Sequence, residues 1–325
     1  MKLEQLRCVV EIVRSGYSVS RAAEALGAPQ PAVSRQLKTL ERELGIDLFV
    51  RGRKRLRGPT QPGAAIIEVA GRVLADTAKM VKIARDFQSE EGGSLTVATT
   101  HTQARYALPP VIETFARRHP GVQIMIRQGS PDEIVSLVRA GEADVCIGSE
   151  SPPDAVELAL FPCYSMRRIV VAPPGHPLLK ARRLTLETLV RYPIITYDEP
   201  FIGRSKLVRS FAERGLKPRI VLSAIDTDVI KAYVERGLGI AIIASLAFDP
   251  ERDTRLRSRD ASHLFESNTV HLGVRRNDYL RSYVLDFIEM FAPALRRERV
   301  EKAMRSVAEA PADVKPGRRS TRPKA

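Results

Sequence analysis

The chain has 325 residues and 44% apolar content, enough for two or three domains with packed cores. It contains no apolar run of about eighteen residues, and residues 1–5 lack the apolar core of a signal peptide, so we expect a cytoplasmic protein without a membrane-spanning segment. Its three cysteines, Cys8, Cys146 and Cys163, have no CxxC spacing, which argues against a zinc site or a disulfide framework.

The formal net charge of +14 is concentrated at the two ends of the chain. Residues 1–60 carry twelve Lys and Arg against six Asp and Glu, and residues 296–325 carry ten against four, whereas the middle is nearly neutral. This distribution predicts a nucleic-acid-binding domain at the N-terminus and a small-molecule domain in the centre.

Residues 1–60 have the pattern of a helix-turn-helix. Ser18 or Ser20 can cap a helix that ends at Gly27, where a left-handed backbone favours glycine. Pro31 suits the first turn of a second helix, because its missing N–H would have no helical partner there. The buried stripe of this second helix is predicted to comprise Val33, Leu37, Leu40 and Leu44. A scaffold helix is predicted to precede both, with an apolar face formed by Leu3, Leu6, Val9, Val10 and Val13.

The exposed face of the second helix combines hydroxyl, amide and cationic side chains, which can contact base edges and phosphates in a major groove. An ordinary helix hairpin with a solvated charged face has the same pattern. Downstream, residues 51–57 carry five cations and predict a short basic ribbon, or wing, on the phosphate backbone or in the minor groove. The predicted DNA-binding residues are Ser18, Gln30, Pro31, Ser34, Arg35, Lys38, Arg51, Arg53 and Lys54.

Several motifs in this region resemble the winged helix-turn-helix of LysR-type transcriptional regulators. They are Ala22-Ala23-x-x-Leu26, Gln30-Pro31-Ala32-Val33-Ser34-Arg35-Gln36-Leu37, Leu40-Glu41-x-x-Leu44-Gly45-x-x-Leu48-Phe49-x-Arg51 and Thr60-x-x-Gly63. The resemblance implies a regulator that binds double-stranded promoter DNA through residues 1–60 and influences recruitment of RNA polymerase. One departure is Pro29, where the family usually has a capping Ser.

Residues 61–91 are predicted to form a long linker helix followed by a hinge. Heptad spacing continues over three repeats, at Ile66, Ala70, Val73, Thr77, Met80, Ala84 and Phe87. A single amphipathic helix lying on its own domain would show a similar pattern. The LysR-type resemblance favours a dimerising helix, and we expect a homo-oligomer, specifically a homotetramer.

From residue 94 onward, short Val- and Ile-rich strands alternate with helices, which predicts an α/β fold with a ligand crevice at the carboxyl ends of parallel strands. Strands are predicted at 94–99, 122–127, 143–148, 168–172, 193–197, 219–222, within 237–243 and at 270–274, and helices at 108–118, 131–140 and 282–291. The LysR-type resemblance implies a two-lobed effector domain over residues 92–297, similar to periplasmic binding proteins. Lobe I is expected at about 92–161 and 268–297, lobe II at about 162–267, and a basic, disordered tail at 298–325.

Residues 100–109 follow the first of these strands and are rich in hydroxyl and amide groups. Thr100, Thr102 and Gln103 can donate hydrogen bonds beside a helix N-terminus, where unpaired N–H groups and the helix dipole favour an anion. Ser149 ends the third strand and is expected to face the same crevice. Plain helix capping would explain these Thr and Ser residues without a ligand.

Further motifs resemble the CysB-type regulators of sulfur assimilation. They are Thr99-Thr100-His101-Thr102-Gln103-Ala104-Arg105-Tyr106-Ala107-Leu108-Pro109, Gln128-Gly129-Ser130-Pro131, Phe201-x-Gly203-Arg204-Ser205, Asp226-x-Asp228-Val229-Ile230-Lys231 and Leu280-Arg281-Ser282-Tyr283. The resemblance implies that O-acetylserine, N-acetylserine, sulfate or thiosulfate binds at Thr100, Thr102, Gln103, Ser149 and Ile202. The subfamily usually has Thr in place of Ser149 and of Ile202, and Ile202 cannot donate a hydrogen bond.

The sequence contains no catalytic motif, cofactor-binding motif or metal-ligand spacing, so we expect neither an enzyme nor a bound cofactor or metal. Two alternatives to a sulfur-assimilation regulator remain. A LysR-type regulator could control another pathway, such as sulfonate use. The central domain alone would also fit a small-molecule transport protein, although the DNA-reading N-terminus argues against that class.

Overall fold

The computed structural model describes residues 1–52, 56–88, 92–149, 157–199 and 201–305. Within these ranges no helix is long and apolar enough to cross a membrane, and no cluster of His, Cys, Asp or Glu side chains could hold a metal ion. The described chain comprises a small N-terminal domain, one long helix and two α/β lobes.

The N-terminal domain is a three-helix unit with a β-hairpin, as predicted. Its elements are α1 (Leu3–Arg14), α2 (Val19–Ala25), α3 (Gln30–Leu44), β1 (Phe49–Arg51) and β2 (Leu56–Pro59), and the two strands pair antiparallel. The Ser18 side chain caps α2 by accepting from the N–H of Arg21, and Gly27 adopts a φ of 60° after that helix. Pro29 gives α3 no side-chain cap, and its carbonyl accepts from the N–H of Ala32 at 2.9 Å.

The linker helix α4 (Gln61–Gln88) combines residues that pack on the N-terminal domain with large apolar residues that are exposed. Ile66 and Ala70 join the core of the N-terminal domain, so the start of the helix lies on its own domain. The large exposed apolar side chains of α4 are Val69, Val73, Met80 and Val81. The side chain of Phe87, the last predicted heptad position, lies outside the described residues.

The two lobes are each built around a five-stranded mixed sheet. Lobe I begins with β3 (Gly93–Thr99), a π-helical turn (Gln103–Ala107), α5 (Leu108–Arg118), β4 (Val122–Gln128), α6 (Pro131–Arg139), β5 (Val145–Gly148) and β6 (Leu158–Met166). Lobe II contains β7 (Arg168–Ala172), α7 (Leu186–Leu189), β8 (Ile194–Tyr197), α8 (Ile202–Ala212), β9 (Ile220–Ala224), α9 (Thr227–Glu235), β10 (Ile240–Ala244) and β11 (Arg257–Asp260). The chain returns to lobe I through β12 (Asn268–Arg275), α10 (Ser282–Phe291) and α11 (Arg297–Arg305). The strand order is β4-β3-β5-β12-β6 in lobe I and β11-β7-β10-β8-β9 in lobe II.

Two boundaries of the lobes differ from the sequence prediction. β6 stays in the lobe I sheet as far as Met166, so the chain crosses to lobe II at Arg167 and not after residue 161. The prediction of a disordered tail from residue 298 was wrong for its first part, because α11 is helical to Arg305. Val300 and Met304 of α11 are buried in the lobe I core, and this burial stabilises an otherwise basic segment.

The N-terminal domain and linker helix contact lobe I through ion pairs. Arg14, in the last turn of α1, pairs with Glu142. Asp76 of α4 lies with its Oδ1 atom 2.9 Å from Nη2 of Arg275, at the end of β12. These ion pairs connect lobe I to α1 and to α4.

Lobe I and lobe II meet at the carboxylate of Asp228, in the first turn of α9. Two residues of the π-helical turn donate to it: Tyr106 Oη lies 2.5 Å from Oδ1, and Arg105 Nε lies 3.1 Å from Oδ2. Lys231 Nζ, three residues along α9, lies 3.0 Å from Oδ1 of Asp228 and 2.9 Å from Oδ1 of Asp253. The Asp228 carboxylate thus interacts with donor groups from both lobes.

The pKa values of this cluster favour its charged, hydrogen-bonded state. Burial would raise the pKa of Asp228, but hydrogen bonds from Tyr106, Lys231 and Arg105 lower it overall. Burial raises the pKa of Tyr106 to about 12 and the bond to Asp228 acts in the same direction, so the phenol remains a donor. Burial would lower the pKa of Lys231, but hydrogen bonds with Asp253, Tyr106 and Asp228 raise it.

Replacing Asp228 by Asn should loosen the contact between the lobes. The amide keeps the size of the side chain but loses the charge that attracts Arg105 and Lys231, so we expect the free energy of unfolding at pH 7 to fall by about 1 kcal/mol. Because the folded-state pKa of Asp228 is lowered, its contribution is present above the ordinary pKa of 3.8 and is lost as the pH falls through the lowered value.

Urea denaturation at a series of pH values from neutral to acid checks this expectation. The difference between wild type and Asp228→Asn should shrink towards zero in acid. Asp132→Asn, in the exposed first turn of α6, is the matched control and should change stability less at neutral pH. A difference that stays constant with pH would show that the charge of Asp228 does not hold the lobes.

Candidate effector crevice and DNA-binding surface

The polar face of α3 is open to solvent at the positions predicted to read DNA. Gln30, Pro31, Arg35 and Lys38 are exposed, and Ser34 is half-buried. These residues occupy the first turns of α3, which is the part of a recognition helix that reaches base edges. On the opposite side Val33, Leu37 and Leu40 are buried, whereas Leu44, predicted as the end of that stripe, is 37% exposed.

A buried carboxylate fixes the root of the wing against α3. Glu41 is only 6% exposed; its Oε1 accepts from the N–H of Leu48 at 2.9 Å, and its Oε2 accepts from Nη2 of Arg51 at 2.6 Å. Arg51, predicted to contact phosphate, is therefore also a structural partner of Glu41, with about half of its side chain exposed. The other two predicted wing contacts, Arg53 and Lys54, lie outside the described residues.

The carboxyl ends of parallel strands from both sheets face one crevice between the lobes. In lobe I, β3 and β5 run parallel, and Thr100 and Ser149 directly follow their ends. In lobe II, β8 and β10 run parallel and end at Tyr197 and Ala244. All four residues line the crevice. Because ligands of open α/β sheets bind at this edge, the crevice is the candidate effector site.

The structure brings four of the five predicted effector residues to this crevice. They are Thr100, Thr102, Gln103 and Ser149. Thr102 also reaches across the crevice, because its Oγ1 lies 3.3 Å from Oγ1 of Thr227 in lobe II. The side chain of the fifth residue, Ile202, lies outside the described part of the chain, although its backbone starts α8 and the next residue, Gly203, lines the crevice.

Gln103 is oriented by side chains of β6. It is 1% exposed; its Oε1 accepts from the phenol of Tyr164, and its Nε2 lies 3.3 Å from the sulfur of Met166. Burial raises the pKa of Tyr164 to about 12, so this phenol stays a donor. Gln103 also opens the π-helical turn, a rare geometry that occurs frequently at functional sites. The amide is therefore a fixed part of the crevice wall.

Among the crevice residues that the sequence reasoning missed are two buried polar or charged ones, Arg168 and Asn268. They stand beside the two crossings between the lobes, since Arg168 begins β7 and Asn268 begins β12. Arg168 is 6% exposed and Asn268 is 2% exposed. Among the described residues, Oδ1 of Asn268 has no hydrogen-bond partner. Each is a polar residue at the first position of a strand that follows a crossing between the lobes, and this position is the signal that would have identified them.

A larger cavity, of about 620 Å³, lies on lobe II and is lined by other residues. Its charged groups pair with each other: Arg209 Nη2 lies 2.6 Å from Oε2 of Glu266, and Arg214 Nη1 lies 3.9 Å from Oε1 of Glu187. Such pairing leaves little net charge to attract an anion. The crevice between the lobes is smaller but has the convergent polar side chains of a ligand site.

Comparison with protein families gives one match to the N-terminal domain and one match to the two-lobed domain. The family described as bacterial regulatory helix-turn-helix protein, lysR family, matches residues 3–64. The family described as LysR substrate binding domain matches residues 88–296. The helix-turn-helix and the two-lobed domain therefore each correspond to a known family.

Relatives that align with nearly the whole chain place it in a group within this family. The chain is 46% identical to the HTH-type transcriptional regulator SsuR of Burkholderia cenocepacia over 94% of this chain and 99% of that protein. It is 44% identical to the HTH-type transcriptional regulator CysB of the same species, over 95% and 99%. The solved cofactor-binding domain of the Cbl transcriptional regulator is similar with a TM-score of 0.64 and 42% identity, covering 67% of this chain and 96% of that one. The chain therefore belongs to the LysR family of DNA-binding transcriptional regulators, which are not enzymes, within the group that includes CysB, Cbl and SsuR.

Proposed function

We propose that this regulator controls genes of sulfur assimilation and cysteine biosynthesis in response to a small effector bound between its lobes. The observation that carries the proposal is the convergence of Thr100, Thr102, Gln103 and Ser149 at one crevice, in a chain 44% identical to a CysB regulator. The candidate effectors are O-acetylserine, N-acetylserine, sulfate and thiosulfate. Control of sulfonate use is the second candidate. It is favoured by Ile202, because CysB-type regulators usually have a Thr hydroxyl at this position and Ile has none.

The regulator reads DNA through the first turns of α3. Gln30, Ser34, Arg35 and Lys38 contact base edges and phosphates in a major groove, and Pro31 starts the helix beside them. Ser18 caps α2, which crosses the sugar-phosphate backbone of the DNA. The wing residues Arg51, Arg53 and Lys54 bind phosphates. Its target is promoter DNA, so it acts in the cytoplasm.

A second copy of the chain covers the exposed apolar residues of α4. Val73 and Met80 lie on the predicted heptad seam and are 37% and 69% exposed in the single chain. Pairing through this helix sets two recognition helices on one duplex, and two such pairs form the homotetramer.

Effector binding changes the distance between the lobes and, through lobe I, the placement of α4. The effector contacts Thr102, directly before the π-helical turn, and that turn reaches Asp228 of lobe II through Arg105 and Tyr106. The resulting shift of the DNA-binding domains alters DNA bending and the recruitment of RNA polymerase.

Arg35→Ala should weaken binding to the specific operator at least tenfold while leaving effector affinity unchanged, because Arg35 is exposed on α3 and remote from the crevice. Fluorescence anisotropy with promoter fragments measures the first quantity, and calorimetric titration of the full-length protein measures the second.

Arg42→Ala is the matched control, since Arg42 is exposed in the last turn of the same helix. It should reduce DNA affinity less than Arg35→Ala does. Equal effects of the two substitutions would contradict specific reading by Arg35, and a parallel loss of effector affinity would contradict separate modules.

Thr102→Ala should lower effector affinity about tenfold, because a half-buried donor to the ligand and a contact to Thr227 are lost together. Calorimetry of the full-length protein with the four candidate effectors tests this expectation. Thr114→Ala is the control, because the Thr114 hydroxyl donates to the Pro110 carbonyl within α5 and the residue lies on the surface. Unchanged affinity in Thr102→Ala would remove this residue from the site.

A further inference from the structure

We propose that the end of lobe II opposite the crevice is a second DNA-binding surface, which contacts the phosphate backbone of the DNA that flanks the operator. This surface, called the basic end, comprises six exposed cations: Arg191, Lys217, Arg219, Arg236, Arg255 and Arg257. The N-terminal domain reads the operator, and the basic end adds contacts that are independent of sequence. The proposal depends on the DNA-binding class of this chain and not on which effector occupies the crevice.

Lobe II carries the excess positive charge of the effector domain. Residues 167–267 contain eighteen Lys and Arg against twelve Asp and Glu, although the middle of the chain as a whole is nearly neutral. Cations in such excess attract a negatively charged partner when they lie together on one surface. Their positions in the sheet therefore decide whether they form a binding surface.

The topology of the lobe II sheet brings the six cations to one end. Strands β8, β9 and β10 are parallel, and β11 runs in the same direction, because β10 and β11 both pair antiparallel with β7. These four strands therefore begin at the same end of the sheet, opposite the crevice. The cations lie where the strands begin: Arg191 before β8, Lys217 and Arg219 before β9, Arg236 before β10, and Arg255 and Arg257 at the start of β11.

Backbone hydrogen bonds hold the starts of β9, β8 and β10 side by side. The N–H of Ile194 donates to the carbonyl of Arg219 at 2.8 Å, and the N–H of Ile240 donates to the carbonyl of Pro193 at 2.9 Å. Strands β11 and β9 are the two outer strands of this sheet. With neighbouring strands about 4.8 Å apart, the row of cations is about 19 Å long, which corresponds to roughly six base pairs of a duplex.

The two ends of this sheet have opposite charge. The segments that lead into the four strands, 190–193, 216–219, 235–239 and 254–256, contain a single acid, Glu235. At the crevice end the same strands are followed or ended by acids, which include Asp198 after β8, Asp226 after β9 and Asp260 at the end of β11. The cations are therefore collected at one end of the sheet and differ from the mixed charges of an ordinary solvated face.

The charge of the basic end is available to an external anion. Its six cations have no carboxylate partner among the described residues. Arg257 donates to two backbone carbonyls, at 2.7 and 2.9 Å, and these bonds leave its positive charge in place. Other cations of lobe II are paired with carboxylates: Arg204 with Glu199, Arg209 with Glu266 and Lys231 with Asp253.

The composition of this surface fits a phosphate backbone better than a protein partner. Five of the six cations are arginines, whose planar guanidinium binds two phosphate oxygens at once. Within the four segments, all of which the structure describes, Leu238 is the only large apolar side chain that is exposed, whereas a protein interface has an apolar centre. DNA is also the partner that the N-terminal domain holds, so the second contact forms within the complex and needs little affinity of its own.

The test compares full-length protein on a short duplex that contains only the operator and on a long duplex that extends on both sides. Fluorescence anisotropy at a series of salt concentrations measures both affinities. The variant Arg191→Gln/Lys217→Gln/Arg219→Gln/Arg236→Gln should bind the short duplex within about twofold of wild type and the long duplex at least about tenfold more weakly at low salt. Because each lost phosphate contact removes about 0.9 from the slope of log K against log salt, the slope for the long duplex should become shallower by about 3 or more.

Two matched variants separate position from net charge. Arg117→Gln/Arg127→Gln/Arg299→Gln/Lys302→Gln removes the same charge from exposed positions of lobe I and should change the affinity for the long duplex less than about threefold, since salt screens distant charges. Arg191→Lys/Arg219→Lys/Arg236→Lys keeps the charge of the basic end and should keep most of the slope. Thermal denaturation and binding to the short duplex establish that each variant is folded.

The outcomes that would overturn the proposal are distinct. An unchanged slope and affinity for the long duplex in the basic-end variant would show that this surface does not bind DNA, and an equal loss in the lobe I variant would assign the effect to net charge. Intact DNA binding with a changed sedimentation coefficient would assign the basic end to the acidic end of a second copy. Intact DNA binding with lost transcription in vitro would assign it to an acidic surface of RNA polymerase. Each of these outcomes leaves the proposed effector response standing, because titration of Thr102→Ala tests that response separately.

Discussion

The Asp228 carboxylate joins the two lobes of the effector domain. It accepts hydrogen bonds from Tyr106 and Arg105 of lobe I and an ion pair from Lys231 of its own helix. Tyr106 and Arg105 lie in the π-helical turn that begins with Gln103, so the group that positions the lobes and the wall of the crevice share one short segment. A change in the conformation of this segment would therefore affect both the contact between the lobes and the crevice wall.

A second carboxylate, Glu41, has a comparable role in the N-terminal domain. Burial of its charge is costly, and the bonds from the Leu48 N–H and from Arg51 offset this cost. These bonds fix the start of the wing relative to α3, and with it the relative placement of the residues predicted to contact the groove and the phosphates. In both halves of the molecule, one carboxylate accepts from donors of separate elements and so joins those elements.

Sequence periodicity predicted those helices and strands in which buried apolar residues recur at regular spacing. Helices α5 and α10 begin and end at the predicted residues, because their buried positions recur at helical spacing and proline or glycine flanks them. Helix α11 was missed, since only Val300 and Met304 of its basic sequence are buried and their partners lie far away in lobe I. Arg168 was missed for a related reason: its place in the crevice wall follows from the crossing between the lobes, and no local pattern encodes that placement.

The π-helical turn at Gln103–Ala107 allows the crevice to change in evolution by insertion or deletion of one residue, and not only by substitution. A π turn contains an extra residue relative to an α turn, so deletion of one residue there restores regular winding and rotates the preceding side chains by about 100°. Thr102 would then leave the crevice, while Leu108 and Phe115 of α5 would remain buried in lobe I. Ligand preference in this scaffold can thus diverge through single-residue insertions and deletions that spare the hydrophobic core.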